Sequence, residues 1–292
     1  MRTIGKVAAI IIAYHPDNDK LTRLVQALSN QGCDKIVVYK NSRLDDSLLT
    51  DCEFCDFIGN ETNDGLGKAI NFSFQYLTNF FGSEFAAFTF DQDTEVAEEF
   101  VKRMNHYRMN LKVDGRDISA IVPRVFDSRS DGYEYKFRHR ACTEGYNLLA
   151  VALQSGMLIE CQTWLNNKFN EDLFIEFVDT EWCYRLASNG KYLYLSQEAR
   201  IYHEVSDEKP IKFLSMQLLK YSSLRRYYFY RNSFFMLRSK DVPVYAKFSI
   251  LRAFISRFVS IFWFEGPKYK SIKMSCFGVF DGLRSRFGKY DG

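Results

Sequence analysis

The chain has 292 residues, enough to bury a substantial core as one large domain or two smaller ones. Hydrophobic content is ordinary at 47%, aromatic content is high at 16%, and a net charge of +3 hides a split. Residues 209–292 carry 17 Lys+Arg against 4 Asp+Glu, whereas residues 1–208 carry 22 against 32, which predicts one acidic and one basic working surface. Seven scattered cysteines argue against a disulfide framework, and no run of 18 uncharged apolar residues predicts a membrane-spanning helix.

In chain order, Val7 to Tyr14 reads as a buried first strand rather than a signal peptide, because the run is short, β-branched and followed by His15-Pro16-Asp17. Leu21 to Leu28 has helical spacing, Lys35 to Tyr39 is a second strand running into Lys40-Asn41-Ser42, and Phe57 to Gly59 is a short third. Cys52 and Cys55 form a CxxC with no second pair at zinc-finger spacing, so reduced thiols in a cytoplasmic protein are the expectation. Asn63-Asp64-Gly65-Leu66-Gly67-Lys68-Ala69-Ile70-Asn71 is a glycine-bearing loop opening a helix to about Asn79. The apolar strand 85–90 then stops at Asp91-Gln92-Asp93, followed by a helix expected from about Glu95 to Leu111. This β-α-β-α-β rhythm implies a parallel sheet covered on both faces.

Ile118 to Val122 is a further strand, and residues 129–146 are polar and rich in Arg and Tyr. Leu148 to Leu153 and Met157 to Ile159 are expected to pair around Gln154-Ser155-Gly156. A helix surrounds Asp179 to Ala187 and ends at Asn189-Gly190; Lys191 to Ser196 and Ala199 to His203 are expected as two late strands. Beyond Pro210 the pattern turns to long basic, aromatic helices, which places a domain boundary near 205–210 and divides the chain into 1–208 and a basic helical segment 209–292.

Extended backbone would set Asp91 and Asp93 on one side of the chain, at the carboxyl end of a parallel strand where open α/β sheets bind ligands. Hard oxygen ligands suit Mg²⁺ or Mn²⁺ beside a phosphate, although Asp-x-Asp alone also fits a strand entering an acidic turn. Together with Tyr14-His15-Pro16-Asp17, Asn41-Ser42, the 63–71 loop, Ser155-Gly156, Val178-Asp179-Thr180-Glu181-Trp182, His203 and Tyr227-Tyr228-Phe229-Tyr230-Arg231-Asn232, the motif is ordered along nearly the whole chain. In that order the chain resembles glycosyltransferase family two, of the GT-A nucleotide-sugar-binding fold, and within it the bacterial rhamnosyltransferases that build surface polysaccharides.

The resemblance implies a fold and a division of labour. Asp93 and His203 would ligate Mg²⁺ or Mn²⁺, with Asp91 on the ribose or the metal's water shell. Asp179 would be the general base, although an acid opening a helix also serves as an N-cap. Ala13, Tyr14, Asn41, Asp64, Lys68, Asp91 and Gln92 would bind the donor nucleotide, expected to be dTDP-L-rhamnose; Lys68 equally fits a solvated helix residue. Lys40 stands where many relatives carry an acid, which bears on the base contacts. Ser155, Gly156, Glu181, Trp182 and Arg185 would shape the acceptor site for a glycan or lipid-linked acceptor. A tight hairpin also accounts for Gly156, and a core residue for Trp182.

The same class with galactofuranose, glucose or galactose as donor sugar is the first alternative. A sugar nucleotidyltransferase would carry a Gly-rich basic loop after the first strand, where this chain has Tyr14-His15-Pro16-Asp17. An inactive sugar-nucleotide-binding scaffold is the non-enzymatic alternative, against which the intact Asp93, Asp179 and His203 speak. From Phe248 to Phe264, Ser249, Arg252, Ser256, Arg257 and Ser260 share one helical side and the rest is a wide apolar face. That pattern fits a helix lying in an anionic membrane surface, placing the protein peripherally on the inner face of the membrane; a packed helix pair or a homo-oligomer interface fits it too. Nucleic acid is not expected, since no nucleic-acid-binding motif accompanies the basic segment.

Overall fold

A computed structural model describes residues 5–44, 55–128, 133–137, 139–143, 145–191, 193–203, 211–213, 216–218, 220–264 and 266–291. Cys52 and the expected domain boundary at 205–210 lie outside these residues. The strands β1 (Lys6–Ala13), β2 (Lys35–Lys40), β3 (Cys55–Ile58) and β4 (Phe85–Asp91) form a parallel block in the order β3-β2-β1-β4. Every residue of β1 after Lys6 is buried, and its side chains divide by parity. Val7, Ala9, Ile11 and Ala13 enter the core under α1 (Asn18–Asn30) and α3 (Phe100–Val113). Ala8, Ile10 and Ile12 enter the core under α2 (Leu66–Phe81), α4 (Cys161–Asn166) and α5 (Val178–Ser188). A strand apolar on both faces can be stable only between two helical layers, as the sequence predicts.

Beyond β4 the sheet becomes mixed. It continues through β9 (Met157–Glu160), β6 (Ala120–Asp127), β10 (Leu193–His203), β8 (Tyr146–Leu149) and β7 (His139–Thr143). The expected pairing of Leu148–Leu153 with Met157–Ile159 is corrected: β9 runs antiparallel between β4 and β6, while β8 pairs with β7 and β10. Two adjacent apolar segments cannot reveal which strands lie between them. The late strands are one strand, β10, with a register shift between Leu195 and Arg200. The helix expected from Glu95 begins at Phe100, because β5 (Glu95–Val96) pairs with Tyr202 and Ile201 at the end of β10.

The C-terminal segment holds a hairpin, β11 (Ile211–Phe213) with β12 (Met216–Leu218), and the helices α6 (Ser223–Arg238), α7 (Val244–Trp263) and α8 (Lys268–Leu283). No described helix is long and apolar enough to cross a membrane. α6 packs tightly on α8, where Gly278 and Gly282 bring helix backbones into contact with α6. Its buried Arg231 and Asn232 reach into the first 208 residues, where they donate to the carbonyls of residues 172–176. Within α7 the sidedness is the reverse of a solvated helix. Arg257 and Ser260 face inward, whereas Phe248, Leu251, Ile255, Phe258 and Phe262 form an exposed stripe at helical spacing.

Candidate active site

The carboxyl ends of β1, β2 and β4 meet at one rim of the sheet and are tied together by polar side chains. Gln92 clamps Tyr14, accepting from its backbone N–H and donating to its carbonyl at 2.8 Å. Asn41 donates its backbone N–H to the Ala13 carbonyl at 2.9 Å, and its Oδ1 accepts from the Asp64 N–H at 2.7 Å. Asp64 in turn accepts from Tyr39 Oη at 2.7 Å and Lys68 Nζ at 2.9 Å. Burial opposes the Asp64 charge, yet these two donors outweigh it and hold the carboxyl below its usual range. Ala13, Tyr14, Asn41, Asp64, Lys68 and Gln92 are thus brought together as expected of a single site. Lys68 is engaged with Asp64 rather than simply solvated.

Gly65 and Phe174 explain the shape of this rim. Gly65 has φ +82°, and a Cβ there would stand 2.7 Å from the Phe174 carbonyl oxygen. The glycine lets the start of α2 press on the loop that leads to α5. Three residues of that loop, Phe174, Glu176 and Phe177, sit in the left-handed region at φ 63°, 63° and 67° without being glycine. Such backbone persists only where surroundings over-determine it. Here Asn232 Nδ2 donates to the carbonyls of Leu173, Ile175 and Glu176, while Glu176 is salt-bridged to Arg225 at 2.7 Å and Arg257 at 3.0 Å.

Asp91 ends β4, but Gln92 and Asp93 are not extended. A turn closed by the Thr94 N–H on the Asp91 carbonyl, at 3.2 Å, replaces the alternation expected there. The turn sets the two carboxylates around one imidazole. Asp91 Oδ2 lies 3.6 Å from His203 Nε2, and Asp93 Oδ1 lies 3.5 Å from His203 Nδ1. Removal from bulk water and the neighbouring Asp93 raise the Asp91 carboxyl, against lowering by His203 and Arg225. Gln154 Nε2 donates to Asp91 Oδ1, and Ser155 Oγ accepts from the Asp91 N–H at 3.2 Å while bonded to Thr94 Oγ1 at 2.6 Å. Gln154 was missed by sequence reasoning; its only signal was a polar triplet interrupting an apolar run.

Two carboxylates and an imidazole are suitable donors for a divalent cation. Among the described residues no three such groups are drawn together to hold one, because each carboxylate faces a different ring nitrogen. Mg²⁺ characteristically takes one or two carboxylates and fills its remaining positions with substrate phosphates and water. The residues fit that mode, and not an all-protein cage.

Asp179 lies in the first turn of α5, close enough to Asp91 for their charges to interact. It is not the N-cap: Phe177 holds that position, and Asp179 Oδ1 accepts from the N–H of Thr180 at 2.7 Å. Burial raises its carboxyl to a pKa of about 6, with the charges of Asp91 and Glu176 adding to the shift and the Thr180 hydrogen bonds opposing it.

The residues expected to shape the acceptor site are mostly engaged within the protein. Trp182 is fully buried, stacked on Phe169 at 4.9 Å between ring centroids, with Nε1 donating to the Asn167 carbonyl at 2.6 Å. A ring so enclosed cannot stack on a sugar, which corrects that expectation. Glu181 is also buried and forms a two-point pair with Arg185 at 2.7 and 3.1 Å, and Arg185 further donates to the Lys168 carbonyl. Ser155 supports the Asp91 turn, and Gly156, at φ +78°, is demanded by Pro123 and Ile201, within 2.9 Å of any Cβ there. Trp182, Glu181 and Ser155 are buried and support the site from within, and half-buried Arg185 is engaged with Glu181 and the Lys168 carbonyl.

No family model matches the chain. Its sequence is 29% identical over 296 residues to "dTDP-rhamnosyl transferase RfbF" of Shigella flexneri, covering 97% of both chains. Its fold superposes on S. aureus TarS with a TM-score of 0.56 at 15% identity, over 87% of this chain and 44% of TarS, so it spans under half of that longer protein. The chain is thus similar over almost its whole length to a dTDP-rhamnosyl transferase, and it shares its fold with TarS.

Proposed function

We propose that the protein is a metal-dependent, inverting enzyme that transfers L-rhamnose from dTDP-L-rhamnose to a lipid-linked or oligosaccharide acceptor of a bacterial surface polysaccharide. The observation that carries this reading is Asp179, in the first turn of α5 and close enough to Asp91 for their charges to interact, with burial raising its pKa to about 6. A base titrating near neutrality is matched to taking a proton from a sugar hydroxyl as its oxygen attacks. That oxygen bonds to the anomeric carbon, the carbon–oxygen bond to the diphosphate breaks on the opposite face, and Asp179 keeps the proton. One displacement of this kind inverts the anomeric centre without an enzyme nucleophile. Asp93, His203 and Asp91 would hold Mg²⁺ or Mn²⁺, which when bound neutralises the leaving diphosphate.

The donor assignment is supported by the name of the Shigella flexneri relative. The rim formed by Ala13, Tyr14, Asn41, Asp64, Lys68 and Gln92 would take the nucleotide, and Lys40 beside it is paired with Glu61 at 3.4 Å. The acceptor would enter past Asp179. The exposed α7 stripe, on a segment of strong positive charge, supports an anionic membrane surface as partner at the inner face of the cell membrane. A second copy of the chain would compete for the same stripe.

Transfer from dTDP-L-rhamnose, followed by product chromatography with Asp179→Asn beside the parent, tests the reading. Turnover is expected to fall about 10²–10⁴-fold with donor affinity nearly unchanged. A fully active variant removes Asp179 as the base, and turnover unaffected by a chelator removes the metal.

A further inference from the structure

A cavity of about 870 Å³ lies between the catalytic rim and the C-terminal helices, within the size range of small-molecule sites. None of Asp91, Asp93, Asp179 and His203 lines it. Asn63 and Phe174 form its catalytic-side wall, next to Asp64 and Gly65, so it opens beside the donor rim without containing the reacting groups. Among its described lining residues there is no carboxylate, whereas Lys220, Lys268, Lys270, Lys289 and Arg226 all contribute. Five cations among the described lining residues make a focused positive field.

A second observation points to a ligand. Arg226 is only 2% exposed, and its Nε has no hydrogen-bond partner among the described residues. Buried donors are rarely left so, and a bound acceptor oxygen is a common reason. Hydroxyls of Ser222, Ser223 and Tyr221 share the lining. The opposite wall is apolar, built from Ile261 and Phe264 at the end of α7 and Met274 of α8. Phe262 and Trp263, on the same final turn of α7, are exposed beside it. A charged inner surface that passes into an exposed apolar one suits a molecule with both characters.

We propose that this cavity binds the phosphate or diphosphate group of an amphiphilic acceptor, with the apolar tail leaving along the end of α7 toward Phe262 and Trp263. The inference rests on the proposed glycosyltransferase reading and adds a site for the acceptor's anchor, remote from the base. It also accounts for the concentration of basic residues in a segment that contributes no reacting group.

The test uses the full chain and three probes: farnesyl diphosphate, farnesol and inorganic diphosphate, each titrated by calorimetry, with dTDP titrated in parallel. Farnesyl diphosphate is expected to bind at least about tenfold more tightly than the other two. Lys268→Glu with Lys270→Glu is expected to weaken that binding at least about tenfold while leaving dTDP binding unchanged. Equal binding of inorganic diphosphate overturns the amphiphile, and farnesyl diphosphate binding that ignores the double variant overturns the cavity. Failure of the parent chain to bind dTDP would instead remove the proposed dTDP-sugar donor, so the two failures are distinguishable. Because Lys268 and Lys270 are exposed, an unchanged melting temperature separates lost binding from lost fold.

Discussion

Asp179 shows how a short-range signal and a tertiary one combine at a single residue. Its position at the start of a helix was readable from the sequence; its proton affinity was not. Burial and the nearby Asp91 and Glu176 charges raise the carboxyl to about 6, and a base must be deprotonated to act. The acid limb of a kcat/KM profile is therefore expected near pH 6, and a limb near pH 4 would show that the group is not the base. The folding linkage has the opposite sense. With its pKa raised from 3.8 in the folded state, this carboxyl's contribution to stability is present below pH 3.8 and is lost as pH rises through about 6. Activity and stability should thus diverge over this interval, which denaturant titrations at pH 4 and pH 7 would register.

At the same scale, Asn232 has a larger role than its place in a C-terminal segment suggests. It is fully buried, and its amide serves three carbonyls of the loop before α5 at 2.8 to 2.9 Å. Asn232→Ala would leave those acceptors without that donor inside the protein, where each unsatisfied group costs about 1–3 kcal/mol. A loss of about 2–4 kcal/mol in chemical denaturation is expected, with kcat falling because Asp179 follows the same loop. A loss below about 0.5 kcal/mol would show that other contacts hold the left-handed residues in place.

Among elements, the α6–α8 contact is set by glycine. At Gly278, helix propensity alone would favour alanine by about 1 kcal/mol. A methyl group there would overlap the Tyr227 carbonyl, however, and overpacking typically costs about 1–3 kcal/mol. The steric term should win, so Gly278→Ala is expected to lower the melting temperature; a rise would mean that the helices can separate freely. Likewise the helix expected from Glu95 starts five residues later because a two-residue strand finds a partner in β10. Local propensity had no access to that competition.

For the whole molecule, the C-terminal helices brace the candidate active site as well as forming a surface. Arg231 and Asn232 hold the loop before α5, and Glu176 is paired to both α6 and α7. Removing residues 209–292 is therefore expected to abolish cooperative unfolding and activity, not merely to free the protein from membranes. The outward stripe is separable. Phe248→Ser, Ile255→Ser and Phe262→Ser together should leave the melting temperature within a few degrees, since all three side chains are exposed. Their loss should weaken sedimentation with phosphatidylglycerol vesicles at least about tenfold. Unchanged sedimentation with a smaller particle by light scattering would assign the stripe to a second copy of the chain.

By itself the sequence determined the two-faced parallel block, the loop at 63–71 and the set of acids and histidine at the rim. Continuous apolar strands and glycine-bearing turns are local in their causes, and ordered motifs survive linear reading. Tertiary structure alone decided that β9 lies between β4 and β6, that Asp93 leaves the strand in a turn, and that Trp182, Glu181 and Arg185 support the site from within. It also decided that Arg257 of α7 faces inward to Glu176 while the apolar stripe faces out. These outcomes depend on which distant surfaces meet, and a single chain of residue types does not encode that in its nearest neighbours.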